Sequence, residues 1–268
     1  MKSVKKLQIG IALTLLIILG IAQTSPANEP TNFLDKLTPF SATKLLKTFT
    51  NISDNHVYDG SKTYAVSHFT GLGIAVTMDV IVNMGNQVGV RIEGDEAAIE
   101  DLIVEVKGNN LVIRTRETWK LWQKKHAHKK LKAVISAKQL SSISMASSGN
   151  IKVNNTIQTK QLAINISGSG KVEANAQVDA LNCAISGSGT LHLSGTAEKA
   201  NVAISGSGRV KEGLKVQQLS AVISGSGNVN ANVSSKLDAV ISGSGSINYS
   251  GNPQIQRKIS GSGRINKI

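Results

Sequence analysis

The chain has 268 residues, enough for one large or two small domains, and only 3% of them are aromatic. Its core must therefore be aliphatic, drawn from Val, Ile, Leu and Ala, which suits layered β-structure. A single cysteine, Cys183, excludes an intramolecular disulfide framework, and the formal charge of +13 favours anionic partners.

Met1-Lys-Ser-Val-Lys-Lys6 is a basic stretch followed by an apolar run from Leu7 to Ala22. Small residues then offer cleavage after Ala22 or after Ala27, the pattern of a secretory signal peptide over residues 1–22. The run is shorter than the ~20 residues of a membrane span, so cleavage is expected rather than retention as an anchor. Lys2, Lys5 and Lys6 would leave with it, and no cysteine near the cleavage region can accept a lipid. An exported chain without disulfides takes its stability from packing. Residues 23–56 are mixed and polar, with Pro26, Pro30 and Pro39, and read as a linker or N-terminal cap. Within them, residues 32–50 could hold a short amphipathic helix.

From residue 57 to 139 the pattern becomes strand-like but irregular. Val88, Val90 and Ile92 alternate along one run, Leu102-Ile-Val-Glu-Val106 makes another, and Asn109-Asn110 turns into Leu111-Val-Ile-Arg-Thr-Arg116. Residues 95–102 are expected to make one or two helical turns. The segment 114–132 stands out: it holds both tryptophans, Trp119 and Trp122, among Arg114, Arg116, Lys120, Lys124, Lys125, Lys129 and Lys130. Between strand patterns it reads as a protruding loop or hairpin. Basic residues with tryptophan favour an anionic glycan or envelope lipid. The plainer reading is a solvated basic loop whose tryptophan packs on the edge of the fold.

Residues 140–268 are a regular array. Ile-Ser-Gly-Ser-Gly begins at Ile166, Ile185, Ile204, Ile223, Ile241 and Ile259, at spacings of 19, 19, 19, 18 and 18, after a degenerate copy at Met145-Ala-Ser-Ser-Gly149. A fixed period near 20 predicts stacked structural repeats. Aligned on the isoleucine, the copies show three apolar columns, for example Leu162/Ile164/Ile166 over Leu181/Cys183/Ile185. Another apolar position follows each motif, at Val172, Leu191, Val210, Val229, Ile247 and Ile265. Side chains alternate across a strand, so each column points one way, and stacked parallel strands turn it into an inward ladder. Cys183 falls in the middle column and reads as a small buried hydrophobe. Arg257 charges that column only in the last rung and is expected to cap it.

The glycines fit corners where φ is positive and no Cβ obstructs. Serine hydroxyls between them could bond from rung to rung, and seven copies predict a stack on the order of 30 Å high. A phosphate-cradling loop needs a different glycine spacing and a following helix, so no nucleotide is expected. A calcium-binding β-roll needs aspartates at nine-residue spacing, which are missing.

No catalytic constellation emerges. Glu173, Asp179, Glu198, Glu212 and Asp238 fall at different phases of the repeat, with no pair convincingly aligned. The one close histidine pair, His126-Ala-His128, lacks Cys or carboxylate neighbours, so no metal is expected, nor any cofactor.

The strand-rich opening (Phe69, Val88-Gly-Val-Arg-Ile-Glu-Gly-Asp95, Leu111-Val-Ile113) followed by repeated Ile-Ser-Gly-Ser-Gly-x-Val resembles the auto-transporter adhesin head GIN domain family, from Tyr58 onward. The resemblance implies a right-handed, single-stranded β-helix (a β-solenoid with about 18–21 residues per repeat) and a surface or adhesion role in bacteria. It carries no catalytic residues. A self-transporting membrane barrel, with strands about 10 residues long and aromatic girdles, is not expected after the repeats.

The sequence thus predicts a non-enzymatic exported protein of the bacterial periplasm or cell surface, structural or adhesin-like, with no nucleic-acid partner. Two alternatives stand beside it: a carbohydrate-active β-helix enzyme, and a solenoid that self-associates through its ends.

Overall fold

The computed structural model describes residues 59–211 and 213–268. The expected signal peptide and its cleavage, and the expected linker or cap over 23–56 with its short helix, lie outside the described residues. The rest is a single-stranded β-solenoid of about seven turns, with 17 strands joined in one continuous sheet.

Each regular turn has a long side that ends in Ile-Ser-Gly, a corner, and a shorter side that follows it. Three strands run through whole turns: β9 (Asn150–Gly168), β10 (Lys171–Gly187) and β11 (Thr190–Gly206). Then come β12 (Arg209–Val210), β13 (Leu214–Gly225), β14 (Asn228–Gly243), β15 (Ser246–Ser250), β16 (Gln254–Ser260) and β17 (Arg264–Lys267). All pair in parallel with residues of the columns in register: Ile166 over Ile185, Ile204, Ile223, Ile241 and Ile259. Alternation places these columns inside, where they are almost wholly buried until the last rung. Cys183 is buried as expected, and burial pushes its thiol up to about 12.

The two glycines of each motif do different things. The first, at Gly168, Gly187, Gly206, Gly225, Gly243 and Gly261, has φ between +112° and +141°. At Gly168, Gly187, Gly206 and Gly225 its carbonyl accepts the next rung's second serine N–H, as from Ser207 to Gly187 at 2.9 Å. The second makes room for a neighbour. A Cβ on Gly227 would lie 2.6 Å from the Ile204 γ2 methyl of the preceding rung. The isoleucine of one copy therefore requires the glycine of the next, which is why they recur together. The serines are exposed, and the rung-to-rung bonds at these corners run through the backbone rather than through hydroxyls. The polar side-chain ladder belongs to asparagine: Asn266 donates to Asn248 at 3.0 Å and Asn248 to Asn230 at 2.8 Å.

The amino-terminal part is not stacked in chain order. Its strands are β1 (Gly60–Tyr64), β2 (Gly71–Ala75), β3 (Asp79–Met84), β4 (Gly89–Gly94), β5 (Leu102–Lys107), β6 (Asn110–Thr115), β7 (Leu131–Ala137) and β8 (Ser142–Met145). The rung made by β2 and β3 lies between two others. Strands β8 and β9 stack on one face of it, so Asn150 bonds Asp79, 71 residues earlier. Strands β6 and β7 stack on the other. Beyond β6 and β7 the pairing turns antiparallel: β5 adds to β6, β4 to β7, and β1 to β4. The degenerate copy at Met145 sits in register with Ile166, as expected.

Candidate binding surface

The basic segment occupies the corner of the β6–β7 rung. Ile113 and Lys132 hold the register positions of Ile166 and Lys171. Nineteen positions separate the first pair against five in the regular corner. The extra chain forms α2 (Trp119–His126), so the expected loop is a helix. Beside it, α1 (Glu96–Glu100) bridges β4 and β5 at the same corner, because Gly94 pairs with Leu131 and Leu102 with Thr115. This is the one helical turn or two expected over 95–102.

The spacing of apolar residues fixes how α2 sits. Trp122 and His126, one turn apart, are both 4% exposed, with ring centroids 5.3 Å apart. His126 Nε2 lies 2.7 Å from Asp101 Oδ2, which also accepts a hydrogen bond from Lys125 Nζ at 2.6 Å. Lys129 Nζ donates to Asp95 Oδ2 at 2.7 Å, while the other oxygen of Asp95 caps α1 at the Ala98 N–H. Hydrogen bonds from Lys125 and His126 hold the Asp101 carboxyl below its usual value. Those from Lys129 and the Ala98 N–H do the same for Asp95. The chain leaves α2 through His128, whose φ of 67° is the only positive value on a non-glycine among the described residues.

The opposite face of α2 is exposed. Leu121 is 55% exposed and lies between the exposed Lys120 and Lys124. The corner is thus a cationic rim around an apolar tip, held by a helix locked on its inner face.

A family model described as "Putative auto-transporter adhesin, head GIN domain" matches residues 68–253. The chain belongs to the head GIN domain family. Solved structures share the fold. A putative adhesin from Bacteroides fragilis NCTC 9343 superposes with a TM-score of 0.70 at 25% identity, covering 78% of this chain and 96% of that one. A protein from Parabacteroides distasonis ATCC 8503, described as a putative lipid binding protein, gives 0.63 at 24%, over 78% and 96%. A putative adhesin from Parabacteroides merdae ATCC 43184 gives 0.60 at 22%, over 78% and 95%. No curated protein matches the chain.

In this head GIN domain the nine basic and aromatic residues singled out by sequence divide three ways. Arg116, Lys120, Lys124 and Lys130 are exposed around the corner. Arg114 is bound to Glu105 at 3.1 and 3.2 Å, Lys125 to Asp101 and Lys129 to Asp95, the two residues that cap α1. Trp122 is core, which matches the plainer reading; the side chain of Trp119 lies outside the described residues. Leu121 is the residue sequence reasoning missed, because among charged neighbours a lone leucine reads as the buried one.

The acidic residues need a correction. Asp179 and Glu198 do align, on one corner of adjacent rungs, flanked by the pairs Val178–Ala197 and Ala180–Lys199. With Lys215 they line an open concavity of about 450 Å³. Asp179 stands six residues before Ile185 and Glu198 six before Ile204, so the repeat spacing itself already aligned them. Both are exposed along this open concavity. No cluster of three or more metal-ligating side chains occurs among the described residues.

Proposed function

We propose that this head GIN domain protein is a non-enzymatic, exported module of the bacterial envelope that binds an anionic lipid surface through the α2 corner. The observation that carries the reading is Leu121. An exposed leucine between Lys120 and Lys124, on a helix whose other face is buried, is the arrangement of an interfacial helix. Each lysine near an anionic membrane supplies about 1 kcal/mol of attraction, and the leucine enters the headgroup boundary. The amino-terminal signal pattern supports export.

Co-sedimentation of the mature chain with vesicles tests it. Phosphatidylglycerol-containing vesicles should bind, phosphatidylcholine alone should not, and binding should weaken as salt rises. Lys120→Glu with Lys124→Glu should abolish binding, and Leu121→Asn should weaken it at unchanged net charge. Equal binding by all variants would reject the corner as the contact. Retention by an acidic polysaccharide with no vesicle binding would move the ligand to an anionic glycan.

A further inference from the structure

The opposite end of the solenoid is built differently. In β16 the outer edge has no strand partner among the described residues, and the same holds for β17. Interior rungs cover their inward side chains almost completely, as at Leu237 and Ile241. Here Ile255 and Ile259, in the same two columns, are each 39% exposed, and all seven residues of β16 are exposed. The edge therefore offers a row of backbone donors and acceptors above an uncovered apolar floor.

Its charge is one-signed. Arg257 stands where the previous rungs carry Ile164, Cys183, Val202, Ala221 and Ala239. Lys258 follows it in β16, Arg264 and Lys267 stand on β17, and no Asp or Glu follows Asp238. A second copy is a poor occupant, because two such edges would bring Arg257 and its neighbours against their own kind. The sequence expectation that Arg257 caps the stack holds for one column only, since the isoleucines on both sides of it stay open.

We infer that the β16–β17 edge accepts an extended anionic polypeptide segment of a partner protein, which adds as the next rung by strand addition. Register dictates its pattern: apolar residues over Ile255 and Ile259, and a carboxylate over Arg257 between them. This goes beyond the lipid reading and is independent of it, because the α2 corner and this edge close opposite ends of the stack.

Fluorescence anisotropy with labelled peptides on the whole mature chain tests the site. The probes are an alternating Val-x-Glu-x-Ile peptide, the same peptide with Lys for Glu, and one interrupted by proline. The acidic peptide should bind at least about tenfold more tightly than the lysine peptide, and the proline peptide should not bind. The variant Arg257→Glu should reverse the preference, with its thermal melt and vesicle binding showing that the fold and the other end are intact. Absence of acidic-peptide binding, equal binding of the proline peptide, or a preference that Arg257→Glu leaves unchanged would overturn the inference. So would sedimentation velocity showing wild-type chains paired through this edge.

Discussion

At the residue scale, the repeat motif is a contract between neighbouring rungs. Gly225 has φ of +121°, and a Cβ there would lie 2.6 Å from the Gly206 carbonyl oxygen. Substituting Gly225→Ala combines left-handed strain with a backbone clash, and should cost about 1–3 kcal/mol in urea titration. The control is Gly85→Ala, on the exposed bend after β3, where a new methyl meets nothing within 4 Å. It should stay within about 0.5 kcal/mol of wild type. Equal losses at both would mean that the strain and the clash at Gly225 do not set its value, because the entropy lost by the unfolded chain on gaining a methyl favours the fold at either site. The alternation of columns and the need for glycine were legible from sequence because both depend on spacing alone. The division of labour between the two glycines was not, since it lies in which rung's atoms each one meets.

At the element scale, α2 is held to the β6–β7 rung by Trp122 and His126 beneath and by ion pairs to the caps of α1 at the side. Asp101 and Asp95 both have carboxyls held below their usual value. A depressed folded value means the contribution is complete above the unfolded value near about 4, and fades as pH falls through the folded value. Acid should therefore release α2 before the repeats unfold. Trp122 emission in a Trp119→Phe background should shift red at lower pH than the carboxylates' ordinary range, while the far-UV β-signal persists. In Asp101→Asn the shift should already be present at neutral pH. Simultaneous loss of both signals would show that α2 is part of the same cooperative unit as the stack. Sequence placed a strongly basic segment here and left its tryptophans between a binding role and packing on the edge of the fold; the structure buries Trp122. It could not show that α1, some 20 residues earlier, brings the carboxylates that neutralise Lys125 and Lys129, because only strand pairing sets the two helices at one corner.

At the scale of the whole molecule, stability is distributed along a stack in which each rung touches its neighbours. Ile223 and Ile259 share a column, yet one is fully buried and the other 39% exposed. Ile223→Ala should cost roughly 2–5 kcal/mol, and Ile259→Ala less than about 1 kcal/mol, by urea denaturation. Similar costs would mean the last rung is covered in solution. By itself the sequence determined the β-solenoid, its period, its inward columns and the interruption of one column by Arg257. All of these are local regularities, and a repeat writes its packing into its own spacing. Only the tertiary structure decided the rung order at the amino-terminal end, where β2 and β3 are flanked by strands from later in the chain. It alone also decided which basic residues are tied to carboxylates and which leucine is exposed. Those facts depend on contacts between segments with no shared period, and the distance between such segments along the chain carries no signal of their distance in space.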